Sequence, residues 1–238
     1  DHCLGLPGIL QRLSLDRVPH PVEVCYPASG QAYLDRLRRA SVYQDHLDLR
    51  LRPVEDDGPV TTLPTASVEA VRLDHDPEAF AWRIVEPDGV SLVPEALESR
   101  GLAGPVVGRL VAEGRVEHAG RAVTLDEVSV PRPGQRMAFV MDTGWCAGAV
   151  AAADGADLLV CEATFATADA DLARRYRHLT ASDAGRIARD AGVRRLVLTH
   201  FSQRYPDVGP LVAEARAFCE DVVAAEDLAR IPVPDRVR

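Results

Sequence analysis

Imidazoles and carboxylates recur in this sequence at one kind of place, at the end of an expected element and beside a small or turn-forming residue. His75 lies in "RLDHDPEAF", Asp142 in "MDTG", Glu162 in "CEATF", His178 in "RHLTA" and His200 in "LTHFS", while Asp1 and His2 open the chain ahead of "CLGLPG". Imidazole nitrogens and carboxylate oxygens suit zinc, and a catalytic zinc keeps one position open for water. A carboxylate such as Asp142 can bridge two metals, because each oxygen can take a different ion. One at a time these residues are bland: a polar residue after a strand is usually a turn former, and a lone His is usually hydrogen-bonded structure. Spacing alone leaves two readings open, a dinuclear metal centre and a set of ordinary turn residues. His20, His46 and His118 sit in polar or Pro-flanked contexts and take the structural reading.

The elements that must position these residues are legible in the last hundred residues. "RMAFVMDTG", "ADLLVCEATF" and "VRRLVLTH" are apolar runs that stop at Asp142, Glu162 and His200. Helical stretches alternate with them, "WCAGAVAAADG" and "TASDAGRIARDAG", the second with Thr180 as N-cap, Asp183 three residues later and Gly192 at its end. Buried-type strands alternating with helices imply a parallel or mixed sheet covered by helices, with functional groups gathered beyond the carboxyl ends of the strands. Earlier, "PVEVCYPA" and "SVEAVRLDH" read as strands and "GQAYLDRLRRASV" as a helix. "GLPG" reads as a tight turn and "RPVEDDGPVTTLPT" as a turn-rich connection. Residues 86–135 are rich in Gly and Pro and read as a small inserted helix and hairpin protruding from the main body.

The 238 residues suffice for one large domain, and 47% hydrophobic with 26% charged residues is ordinary for a globular protein. No apolar run approaches the roughly 20 residues that span a bilayer, so no membrane association is expected. Five cysteines in irregular spacing, without CxxC, suggest free thiols in a reducing, cytoplasmic compartment. All 27 basic residues are Arg, and the net charge of −9 argues weakly against a nucleic-acid partner.

Against that objection stands a resemblance. "DHCLGLPG", "DHDPEAFAWRI", "GLAGPVVGRL", "MDTGWC", "CEATF", "HLTASDAG" and "LTHFSQRY" follow one another as in the ribonuclease Z family, tRNA 3′-end processing endonucleases of the metallo-β-lactamase fold. The resemblance covers nearly the whole chain and implies an α/β (α+β) metallo-β-lactamase αβ/βα sandwich. The family's first metal motif reads His-x-His-x-Asp-His, of which only the closing Asp1 and His2 are present. The expectation is a chain that starts inside that motif, with an incomplete N-terminal sheet, exposed apolar surface and two ligand histidines fewer.

The resemblance implies one zinc on Asp1, His2, Asp142 and His200, and a second on His75 and the bridging Asp142, two Zn2+ per subunit in the complete enzyme. It implies Asp1 as general base, His178 as the group that protonates the leaving 3′-oxygen, and Glu162 as the carboxylate that orients His178. It implies precursor tRNA as partner, a homodimer, and residues 86–135 as a tRNA-gripping arm within a single domain. The arm's arginines, such as Arg100, Arg109 and Arg121, are matched by acids such as Glu95, Glu113 and Glu127, whereas Arg174, Arg175 and Arg177 in "RRYRH" form a better phosphate-facing cluster. Two departures from the family pattern are Ala81-Trp82 for Gly-Tyr and Leu179 for Ser, the latter expected to remove a hydroxyl from the phosphate's reach. The competing expectations are another metallo-β-lactamase-fold phosphodiesterase, which would need no distant arm, and an inactive fragment lacking two metal-ligand His.

Overall fold

The structure, a computed structural model, describes residues 2–236. Asp1, expected as ligand and general base, lies outside the described residues. The chain forms two compact units, one of residues 2–85 and 136–234, the other of residues 86–135 together with Asp235 and Arg236.

The first unit begins with α1 (Leu6–Leu15), β1 (Val22–Pro27), α2 (Gln31–Arg38), β2 (Leu49–Val54), β3 (Gly58–Thr62), β4 (Ser67–Arg72) and β5 (Phe80–Val85). "GLPG" is therefore the entry to a helix and no free-standing turn: Gly5 is the N-cap and Pro7 sits in the first turn of α1, where its missing N–H costs nothing. The 52–65 stretch is likewise more ordered than a connection, since it holds the end of β2 and all of β3.

In the second unit, β6 (Gly89–Leu92) pairs antiparallel with β9 (Ser129–Arg132). Between them come α3 (Pro94–Ser99), α4 (Pro105–Glu113) and the hairpin of β7 (Arg115–His118) and β8 (Arg121–Thr124). Leu102, Leu110, Val116, Val123 and Val128 give this unit its own core. The insertion thus carries two helices rather than one. Gly104, at φ +65° ahead of Pro105, takes a backbone conformation that a side chain would strain.

The first unit resumes with β10 (Arg136–Val140), α5 (Ala147–Ala153), β11 (Leu158–Glu162), α6 (Ala170–Tyr176), α7 (Ala181–Asp190), β12 (Arg195–Thr199), α8 (Gly209–Arg216) and β13 (Val222–Ala224). Seven strands form one sheet in the order β13-β12-β11-β10-β5-β4-β3, while β1 and β2 pair parallel in a sheet of their own. β10 to β13 run parallel and the other neighbours antiparallel, so Asp142, Glu162 and His200 all emerge at the same end of adjacent strands.

Ala138, Val140, Leu159, Cys161, Leu196 and Leu198 point from these strands into a core shared with Ala149, Ala152, Ile187, Ala188 and Leu211 of α5, α7 and α8. Complete burial of a side chain such as Ile187 or Leu198 contributes about 1.5–3 kcal/mol. The alanines let the helices lie close on the sheet. On the other face, Ile84 and Phe139 are each 38% exposed. Leu179 belongs to the buried core, so a residue at that position faces away from any bound phosphate, and the expected loss of a phosphate contact is corrected.

Gly148 shows how tight the helix-sheet contact is: a Cβ there would overlap the carbonyl oxygen of Arg72 in β4. Gly148→Ala is expected to push α5 off the sheet and destabilise the protein by about 1–3 kcal/mol, read as a lower urea midpoint.

Candidate metal centre

The loop after β10 presents Asp142, whose side chain is only 12% exposed, to three imidazoles. His2 Nε2 lies 3.0 Å and His75 Nε2 4.0 Å from its Oδ2, and His200 Nε2 lies 3.6 Å from its Oδ1. His75 comes from the loop between β4 and β5, and His200 follows β12 directly. Asp142 Oδ1 is buried and accepts no hydrogen bond. A buried carboxylate oxygen without a donor costs roughly 1–3 kcal/mol or more, and a bound cation removes that cost.

The far side of the rings fixes which nitrogen is free. His75 Nδ1 lies 3.0 Å from the Arg177 carbonyl oxygen, which can only accept, so Nδ1 carries the proton. Thr164 Oγ1 donates its single proton to Glu162 Oε2 at 2.6 Å and therefore accepts from His200 Nδ1 at 2.8 Å. In their neutral forms both rings aim a bare Nε2 lone pair at Asp142, the tautomer a metal requires. Burial lowers the His200 pKa against the opposing pull of Asp142 and Glu162, which favours that neutral form. His200 holds a left-handed φ of +59°, a strained backbone for a residue with a Cβ.

Glu162 is fully buried and lies near this cluster, with Asp142, Glu162, His178 and His200 each offering a ligand atom within 4.8 Å of the others. Proximity does not make it a ligand. Its oxygens already accept from Thr143 N at 2.7 Å, Thr164 Oγ1 at 2.6 Å, Leu179 N at 3.1 Å and His178 Nδ1 at 3.0 Å. With Nδ1 so engaged, His178 turns Nε2 outward, its ring centroid 5.2 Å from those of His75 and His200. Burial lowers the His178 pKa, but the Glu162 hydrogen bond and charge, helped by Asp142, outweigh it and the net shift is upward. Thr180 caps α7 with Asp183, each side chain bonding the other's backbone N–H, which anchors the chain just past His178.

His2, His75, Asp142 and His200 thus share one cluster, with the Glu162–His178 pair beside it. Sequence reasoning overlooked Thr164, Thr143 and the Arg177 carbonyl, which orient the acids and imidazoles. A hydroxyl two residues after a strand-ending acid was the only available signal for Thr164.

A layered fold with a carboxylate and imidazoles gathered beyond the ends of its parallel strands defines a metal-binding metallo-β-lactamase-fold protein. Residues 113–201 match the Beta-lactamase superfamily domain. Short-form human tRNase Z is similar at TM-score 0.61 and 23% identity, over 97% of this chain and 74% of that one. A metallo-β-lactamase-fold protein of Bacillus subtilis is similar at TM-score 0.62 and 19% identity, over 95% of this chain and 70% of that one. Ribonuclease Z of Salinispora arenicola is 53% identical over 237 residues, 99% of this chain and 77% of its own length. Ribonuclease Z of Nocardia farcinica is 54% identical over 239 residues, 99% of this chain and 78% of its own length. The chain belongs to the ribonuclease Z family.

Thr164→Val keeps the shape of the side chain but removes the acceptor for His200 Nδ1. Divalent-metal affinity, measured by competition with a chromophoric chelator, is expected to fall roughly 10- to 100-fold, the usual effect of losing a ligand's supporting hydrogen bond.

Proposed function

We propose that this chain is a zinc-dependent endoribonuclease that removes 3′ trailers from precursor tRNA, leaving a 3′-hydroxyl on the tRNA and a 5′-phosphate on the trailer. The observation that carries the reading is the buried Asp142 Oδ1, which accepts no hydrogen bond and faces the Nε2 of His200 while His2 and His75 stand at Oδ2, in a member of the ribonuclease Z family. The donor set is oxygen and imidazole nitrogen, which fits zinc.

His2, His75, Asp142 and His200 would hold the metal, with Asp142 supplying both carboxylate oxygens and Asp1 adding the ligand and general base that the family resemblance implies. Bound zinc supplies positive charge at the phosphate oxygens and lowers the pKa of water. The reaction breaks the bond from phosphorus to the tRNA 3′-oxygen and forms one from phosphorus to the water oxygen. His178 provides the proton that the departing 3′-oxygen needs, from Nε2. Glu162 keeps the imidazole charged and aimed, since its hydrogen bond to Nδ1 favours the imidazolium. The fully buried position of Glu162 prevents it from turning to solvent instead.

Residues 86–135 act as an arm that holds the tRNA away from the cleavage point. Their own core supports an independent element, although Glu127 pairs with both Arg100 and Arg121 and so reduces their charge. No helix among the described residues is long and apolar enough to cross a membrane. The five unpaired thiols support a cytoplasmic setting, and a homodimer rests on the family resemblance.

His178→Ala is expected to cut the turnover of a 3′-extended pre-tRNA by roughly 10²- to 10⁴-fold, with zinc content by atomic absorption unchanged. Turnover at the wild-type rate would remove His178 from the chemistry. Leu92 and Ser129 face each other across β6 and β9, so a two-residue Asn-Gly turn can replace residues 93–128. That deletion is expected to raise KM for pre-tRNA while sparing hydrolysis of bis(p-nitrophenyl) phosphate. Equal loss on both substrates would dismiss the arm.

A further inference from the structure

Beside His178 the surface sinks into a recess of about 380 Å³, lined by Asp74, Trp145, Arg174, Arg177 and Arg186 among others. Its volume falls in the range of roughly 300–1,000 Å³ of small-ligand sites. Trp145 stands out within it, an indole 48% exposed where an apolar ring gains nothing from water. The turn that carries it is fixed: Gly144 N donates to the Asp74 carbonyl at 2.8 Å, and a Cβ on Gly144 would come within 3.3 Å of Asp74 Oδ2 and 3.6 Å of Arg177 Cα. Arg177 is fixed as well, in the left-handed conformation at the end of α6, with its carbonyl bound to His75. An exposed indole held on a rigid turn is a stacking platform.

The guanidinium groups around it are available. Arg177 lies 3.8 Å from Asp74 and Arg186 lies 3.4 Å from Asp183, while Arg174 pairs with Asp171. All three arginine side chains are about half exposed or more, and such pairs are worth about 0–1 kcal/mol each, so a phosphate can exchange for the carboxylate. Arg175 is turned away, over the Tyr176 ring. An aromatic face with cations at its rim fits one unpaired nucleobase and the phosphates on either side of it. A paired base cannot offer its face to the indole.

We propose that the recess between Trp145 and the arginines at 174 and 177 is a stacking subsite for a single-stranded nucleotide adjoining the scissile phosphate of the RNA. This rests on the endoribonuclease reading, and it names Trp145 as the residue that positions the strand at His178. The test uses a tetraribonucleotide with phosphorothioate linkages, slow to hydrolyse, added to the purified zinc-loaded protein. Indole emission is followed against a Trp145→Phe chain, which retains Trp82 alone. Saturable quenching is expected only where Trp145 is present. Trp145→Ala is expected to weaken binding roughly 5- to 150-fold, and Trp145→Phe, which keeps an aromatic face, only a few-fold. An abasic oligomer of the same charge should bind the wild type and Trp145→Ala alike. Wild-type affinity in Trp145→Ala, or equal quenching by the abasic oligomer, would overturn the subsite. If the wild type cuts pre-tRNA without base-dependent quenching, the subsite falls and the activity stands. If quenching depends on the bases but pre-tRNA is not cut, the activity falls and the subsite stands.

Discussion

The arrangement depends first on the Glu162 carboxylate, buried to 0% exposure and bound by donors from three stretches of chain. A carboxylate taken out of water costs several kcal/mol unless its lone pairs are filled, and hydrogen bonds to a charged group each recover about 1.5–3 kcal/mol. Thr143 N brings in the loop after β10, Thr164 the loop after β11, and His178 with Leu179 N the segment between α6 and α7. Asp142 precedes Thr143, His200 bonds to Thr164, and His178 bonds to Glu162 itself. One ion therefore sets the relative positions of the Asp142 carboxylate and the His200 and His178 imidazoles. Disturbing it would move all three together.

Two residues hold left-handed backbones at the same place, Arg177 at φ +52° and His200 at φ +59°. Such a conformation costs a residue with a Cβ roughly 1–2 kcal/mol. Each strained residue takes part in a bond that fixes a tautomer, the Arg177 carbonyl with His75 Nδ1 and His200 Nδ1 with Thr164. A relaxed backbone at either position would swing the carbonyl or the ring away from its partner. Strain is tolerated where it secures which nitrogen faces Asp142.

Much of this was legible before any coordinates, for a definite reason. β11 and β12 are buried on both faces or nearly so, and β10 carries Phe139 on its more exposed face, so all three read as uninterrupted apolar runs whose ends are unmistakable, and Asp142, Glu162 and His200 stand at or just past those ends. The Thr180–Asp183 box at the start of α7 was equally plain. α1 was obscured because its first turn is Leu-Pro-Gly, which reads as a turn until the helix that follows is seen. β2 and β3 were obscured by a proline inside each strand and by the acids Glu55, Asp56 and Asp57 in the turn between them. Thr164 and the Arg177 carbonyl were invisible, since a hydroxyl or backbone oxygen becomes a tautomer switch only through a neighbour distant in sequence. The placement of Leu179 went wrong because a polar motif around it suggested an outward side chain, when its alternation with His178 turns it inward.

Two carboxylates lie within 4.8 Å of the same imidazoles, yet their surroundings are opposite, and the difference is in the partners rather than the distance. Glu162 has donors for both oxygens and is electrostatically complete within the protein. Asp142 leaves Oδ1 buried without a donor, facing a nitrogen that carries a lone pair of its own. Negative oxygen against a nitrogen lone pair is repulsive, so the polypeptide alone is incomplete there, and only a positive centre satisfies both atoms at once. The same test distinguishes His75 and His200 from His178. His75 and His200 have Nδ1 occupied by neutral acceptors and direct Nε2 at Asp142, whereas Nδ1 of His178 is held by an anion that favours the protonated ring. A protonated imidazole cannot ligate a metal, and a neutral one with its lone pair turned inward cannot donate to a leaving oxygen. The hydrogen bonds on the far side of each ring thus suit His75 and His200 to the metal binding proposed above and His178 alone to the proposed proton delivery.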